Sequence, residues 1–136
     1  MALELRNAFG SLDRDAVLAA VQEHAPGLVH YARLFLGRRS AYRYLSSNGA
    51  GELLYADQGV DQGDPLAPAF LAVTIREPLE RLEARLRDLA EADGFSPEAA
   101  ADAVRVRAYL DDVLVRVPDS LALSLIHISE PTRPSR

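Results

Sequence analysis

The residues best suited to chemistry are Tyr109-Leu110-Asp111-Asp112, adjacent carboxylates set between short runs of Val, Leu and Ala. Val104, Val106 and Ala108 alternate with Arg105, Arg107 and Tyr109, the period of a half-buried strand, and Val113–Val117 follows at once as a second strand. The acids are therefore expected at the tip of a β-hairpin. Neighbouring side chains of an extended chain point to opposite faces, so one ligand meets at most one Asp unless the turn redirects them. Like charges crowded at a turn repel, and a bound divalent cation relieves that repulsion. Taken alone, such a turn is most often merely solvated, because Asp favours turns anyway.

Two further features give the acids company. Gln62-Gly63-Asp64-Pro65-Leu66 breaks a strand-to-helix junction, where a glycine allows close backbone approach to a ligand and helix N-terminal amides face an anion. Glu4 stands at the end of an apolar strand, with Phe9 five residues later. Carboxylates from separate strands, converging near a glycine-opened helix start, suit divalent metals holding a phosphoryl group.

Asn7-Ala8-Phe9, Gly59-Val60-Asp61-Gln62-Gly63-Asp64-Pro65-Leu66 and Tyr109-Leu110-Asp111-Asp112 resemble motifs A, B and C of the reverse transcriptases, above all those of non-LTR retrotransposons. Order and separations also fit, and the resemblance covers essentially residues 2–118, the greater part of a palm. It implies that Glu4 takes the place of the first metal-binding Asp and Asp111 that of the second, with Asp112 the supporting acid. It places Phe9 beneath the sugar of the incoming nucleotide, where it excludes a 2′-hydroxyl. Gln62 and Gly63 fall where the loop contacts the nascent base pair and template. The implied activity is RNA-directed DNA polymerase of a retroelement: two-metal transfer of a nucleotide from a dNTP to a primer 3′-hydroxyl. Mg²⁺ is the expected cofactor, with Mn²⁺ as the substitute that tolerates looser ligation. An RNA or DNA template-primer is the expected partner.

The departures matter. Glu4 has one methylene more than the Asp of the family, and a misplacement of about 1 Å can cost ~100-fold in rate. Asp61 stands where Gln or Arg is more usual. The fingers expected before Ala2 and the thumb expected after Val117 are missing, so the chain reads as an incomplete palm, expected to be inactive alone. Two other readings compete: a decayed retroelement remnant, and a non-catalytic nucleic-acid-binding module.

The elements that must position these residues follow from local signals. Residues 2–6 read as a short strand ending in the turn 7–11. Asp13 caps a helix with Val17, Leu18 and Val21 on its apolar face. Pro26 opens a second helix, with Leu28, Ala32 and Phe35 on one side and Gly37 as its stop. Ala41–Ser46 and Glu52–Ala56 form a hairpin around the loop 47–51. A long helix follows Pro65, with Leu79, Leu82, Leu86 and Leu89 on one face and Glu83 paired to Arg87; Pro78 is expected to kink or divide it. Residues 93–97 read as a loop. The fold expected is α+β, a ferredoxin-like antiparallel sheet with helices on one face, and the resemblance makes it a polymerase palm.

Length and composition bound the rest. The chain has 136 residues, 49% of them hydrophobic, which suffices for one domain with a core. No apolar run approaches the ~18 residues needed to span a bilayer, and no basic, apolar leader is present. An intracellular location, nuclear or cytoplasmic, is expected rather than secretion. The absence of Cys excludes disulfides, thiolate zinc sites and a cysteine nucleophile. Scattered His24, His30 and His127 argue against a histidine zinc site. All 15 basic residues are Arg, and the net charge is −5. That charge is uneven: residues 25–51 contain no acid, while Arg33, Arg38, Arg39 and Arg43 give a basic strip that could follow a phosphate backbone. Tyr42, Tyr44 and Tyr55 could stack on bases, although such alternation more often marks a strand face over a core. Residues 123–136 resemble the in-frame translation of a transposase-type sequencing adapter, and are read as a non-native, disordered tail after a domain spanning 1–122.

Overall fold

A computed structural model describes residues 1–47, 49 and 51–122. The tail from Leu123 lies outside them. The elements run β1 (Ala2–Glu4), α1 (Arg14–His24), α2 (Val29–Leu36), β2 (Ser40–Leu45), β3 (Gly51–Ala56), α3 (Ala67–Ala92), α4 (Pro97–Ala103), β4 (Arg105–Tyr109) and β5 (Asp112–Arg116). This is a mixed α+β chain with antiparallel sheets. The described residues divide into two compact units: Met1–Leu5 with the chain from Glu77 onward, and Arg6–Arg76. No helix among them is long and apolar enough to cross a membrane.

In the first unit, β1, β5 and β4 form an antiparallel sheet in the order β1-β5-β4. Val113 and Val115 of β5 are buried, whereas Asp112, Leu114 and Arg116 between them are exposed. The sheet therefore has a covered face and an open one. The covering residues are Leu86 and Ala90 of α3, Ala100 of α4, Val104 and Leu121. Ser96 caps α4 by accepting from the Ala99 N–H at 3.2 Å, and Pro97 occupies its first turn. This short helix fills a stretch that apolar periodicity leaves blank, although Ser-Pro is a start signal in its own right.

β4 is an edge strand, and Val106 directs its N–H away from β5. Glu83 of α3 captures it, Oε2 accepting at 2.8 Å, while Arg87 pairs with the other carboxylate oxygen. The Val106 N–H foremost, and then the Arg87 charge, hold the Glu83 carboxyl below its ordinary value near 4.5. A depressed acid stabilises the fold above its unfolded pKa, and that contribution is lost as pH falls through the folded value. Glu83→Gln keeps an oxygen for Val106 but removes the charge. Its unfolding midpoint is expected to fall less steeply than wild type below about pH 4.5. Parallel acid limbs in thermal melts from pH 7 to pH 3 would show that Glu83 is not a contributor.

In the second unit Asp13 caps α1 as its sequence predicts, accepting from the Ala16 N–H at 2.9 Å. Val17, Val21, Ala32, Phe70 and Leu71 are buried. After a 3-10 turn at Pro26–Leu28, α2 buries Val29, Ala32 and Leu36, and ends at Gly37. Phe35, expected on the covered side, is 49% exposed, because the buried stripe of so short a helix follows the i, i+3, i+7 positions from Val29. α3 passes through Pro78 without being divided; the proline removes one donor, to the Thr74 carbonyl. β1 is shorter than the expected 2–6, since Asn7 takes a positive φ of 51° and turns the chain.

Candidate active site

The sheet register decides which carboxylates meet. Glu4 lies directly opposite Asp112 across β1 and β5. Met1 exchanges both backbone bonds with Val115, and Leu5 N–H donates to the Asp111 carbonyl at 2.9 Å. Odd-numbered residues of β1 therefore make the hydrogen-bonded pairs, and Glu4–Asp112 is a non-hydrogen-bonded pair, the kind whose side chains approach most closely. Both residues are exposed on the open face. Tyr109 pairs with Asp112 from the other side, so Tyr109, Asp112 and Glu4 form one row across the sheet. Tyr109 is 78% exposed. Beside this row runs a groove of about 590 Å³ lined by Ala2, Arg107, Tyr109, Asp112 and Leu114.

Asp111 is placed differently. It occupies the second position of the two-residue turn joining β4 and β5, half-buried, opposite Leu5 rather than Glu4. Leu110, the first turn residue, has φ 55°. A positive φ at the first central position alone is the pattern of a type II′ turn, which normally places glycine there. A leucine in the left-handed region is strained, and such strain persists only where surrounding contacts fix it. Here the ladders on both sides of β5 fix it. The side-chain direction of Asp111 is therefore set by the turn and not by strand alternation.

Phe9, Gln62 and Gly63 belong to the second unit. There the turn bearing Phe9 is stitched to the segment entering α3. Gly59 N–H donates to the Leu12 carbonyl at 2.7 Å, and Val60 N–H to the Phe9 carbonyl at 2.9 Å. Gly59 has φ 80°, and a Cβ there would stand 2.7 Å from the Gly10 carbonyl oxygen, so both conformation and space require glycine. Gly63 has φ 109° with open space around it, which leaves conformation as its only requirement. Phe9 is half-buried, whereas Gln62 and Gly63 are exposed. Asp64 Oδ1 accepts from the Leu66 N–H at 2.8 Å, securing the entry to α3.

Sequence reasoning passed over Arg14. This guanidinium is 7% exposed and donates to the Gly59 carbonyl, the Arg38 carbonyl and the Ser40 hydroxyl, at 2.9, 2.9 and 3.1 Å. It holds the Phe9–Val60 junction and the start of β2 together. The signal was an arginine in the first turn of a helix, a position that the helix dipole disfavours. Tyr42 donates its hydroxyl to Asp61, which with partial burial pushes the phenol above its ordinary value near 10.

Among the described residues no three His, Cys, Asp or Glu side chains are gathered into one metal-holding group. Glu4 and Asp112 nonetheless offer hard oxygen donors from an opposed, like-charged pair. That fits Mg²⁺, which is commonly bound by one or two carboxylates with substrate phosphates and waters completing its shell. Comparison with known proteins returns no match to this chain, whether as a family model, a curated protein or a solved structure.

Proposed function

We propose that this chain is a reverse-transcriptase palm, serving RNA-directed transfer of a nucleotide from a dNTP to a primer 3′-hydroxyl. The observation that carries the reading is the Glu4–Asp112 pair beside the strained Leu110-Asp111 turn, in a chain whose motifs resemble those of that family. Opposed carboxylates in adjoining strands cost stability unless a cation is shared between them. A bound Mg²⁺ supplies neutralisation of the triphosphate and a lowered pKa for the attacking hydroxyl.

The chain's own residues do the remainder. Glu4 and Asp112 would hold the ion, with Asp111 contributing. The resemblance assigns Phe9 to the incoming sugar and Gln62 and Gly63 to the nascent base pair, and Gly63 keeps its backbone bare for close approach. In the reaction the primer 3′-oxygen forms a bond to the α-phosphorus, the bond to the bridging oxygen breaks, pyrophosphate departs and the hydroxyl proton passes to solvent.

The direct test is a Mn²⁺ titration of the full chain, followed by the paramagnetic signal of free ion. Wild type is expected to bind Mn²⁺, and binding to weaken at least about tenfold in a Glu4→Gln/Asp112→Asn double variant, which loses both charged donors. Equal binding by both proteins would remove the metal site and, with it, the proposed chemistry.

A further inference from the structure

Tyr42, Tyr44 and Tyr55 do not lie over a core. Ala41–Leu45 of β2 and Gly51–Tyr55 of β3 are exposed on both sides of a two-stranded ribbon. The register sorts them: Ser40, Tyr42, Tyr44, Glu52, Leu54 and Ala56 share one side, and Ala41, Arg43, Leu45, Gly51, Leu53 and Tyr55 the other. The first side is occupied by its own polar groups. Tyr42 donates to Asp61, and Glu52 stands opposite Tyr44.

The second side has a different chemistry. The Arg39 guanidinium stacks over the Tyr55 ring at 4.3 Å from its centroid. Arg43 Nε and Leu45 Cδ2 flank the bare position of Gly51, at 3.3 and 3.5 Å from where a Cβ would sit. Leu45, Leu53 and Tyr55 are each more than half exposed, at 67%, 56% and 53%. The strands themselves carry no acid on this side and residues 25–51 contain none, while Asp13, Asp15 and Asp57 line a concavity with Arg39 at the start of the ribbon. About four residues of strand separate Arg39 from Arg43, some 13 Å along the ribbon.

A cation stacked on an exposed ring, with a second cation further along an apolar strip, matches the phosphates and bases of a single strand. A second copy of this chain fits poorly, because a two-fold pairing of the same patch sets arginine against arginine. We infer that the Arg39–Arg43–Tyr55 side of the β2–β3 ribbon binds single-stranded nucleic acid, with phosphates on the guanidinium groups and a base stacked on the Arg39–Tyr55 pair. This surface uses none of the residues of the carboxylate site and does not depend on metal.

The test is fluorescence anisotropy of the full chain with labelled oligouridylate and oligothymidylate of about 15 nucleotides, in EDTA and at low salt. Binding is expected to weaken steeply with salt. Arg39→Ala/Arg43→Ala is expected to lose at least about tenfold in affinity and to flatten the salt slope by about 1.4, the share of two single-strand phosphate contacts. Tyr55→Leu is expected to lose about fivefold or more, and Tyr55→Phe to retain binding, since the ring and not the hydroxyl stacks. Tyr44→Leu, on the other side, is expected to bind as wild type does. Thermal melts of each variant show whether it remains folded; should Tyr55→Leu melt early, the arginine variant and Tyr55→Phe decide. Absence of salt-dependent binding overturns the inference, as does equal loss in Tyr44→Leu and Tyr55→Leu. So does a wild-type dimer that the arginine substitutions dissociate. Because EDTA removes metal, failure here leaves the carboxylate site untouched.

Discussion

Gly59→Ala is expected to destabilise the second unit by about 3–4 kcal/mol. Two costs combine. A non-glycine residue held at φ 80° pays roughly 1–2 kcal/mol for the left-handed conformation. The new Cβ then stands 2.7 Å from the Gly10 carbonyl oxygen and 2.9 Å from the Gly10 carbonyl carbon and Cα, which are backbone atoms and cannot swing aside. The surrounding bonds prevent relief. Gly59 N–H is tied to Leu12, Val60 N–H to Phe9, and the Gly59 carbonyl to the buried Arg14 guanidinium. Any shift that admits the methyl group breaks at least one of these bonds.

Gly94→Ala provides the control. Gly94 also has a positive φ, 98°, yet nothing lies within 4 Å of a Cβ there. Only the conformational cost of about 1–2 kcal/mol applies. Urea unfolding of the two variants is expected to separate them by about 2 kcal/mol. Equal losses would mean that the Phe9–Val60 junction yields freely and is not a rigid seat for the turn at residues 7–11.

Much of this arrangement was legible because local chemistry specifies it. Asp13 has a helix to cap, Gly37 a helix to stop, and Asp111-Asp112 strands of opposite direction on either side. The open and covered faces of β5 can be read from the alternation of Val113 and Val115 with Asp112 and Leu114. The pairing of Glu4 with Asp112 could not be read, because register is set by the turn at Leu110 and by the bonds from Met1 and Leu5, none of which has a sequence signature. The partners of Arg14 were invisible for a related reason. Its acceptors are backbone carbonyls at residues 38 and 59, and carbonyls are present in every residue. The tyrosines of β2 and β3 misled in the other direction: alternation marks a strand but does not say whether anything packs against it.

The largest effects on activity are expected at Asp111 and Glu4, with residues 2–118 set into the corresponding place of a complete reverse transcriptase and primer extension as the readout. Glu4 still offers a carboxylate opposite Asp112, but on a stem longer by one methylene than the aspartate of reverse transcriptases. Mg²⁺ demands near-ideal octahedral geometry at about 2.0–2.1 Å, so a ligand displaced by roughly an ångström serves it badly. Weak extension is therefore expected in Mg²⁺, rising at least about tenfold on Glu4→Asp. Mn²⁺, which tolerates looser ligation, is expected to narrow the difference. Asp111→Asn is expected to abolish extension in either background, since it removes a charge from the turn without altering its shape. Asp112→Asn supplies the comparison that the register makes necessary. If it is as damaging as Asp111→Asn, the ion is held by the opposed pair as well as by the turn; if it is mild, Asp111 carries the ligation and Asp112 supports it. Unchanged extension after all three substitutions would mean that residues 4, 111 and 112 hold no metal, and the polymerase reading would fall with them.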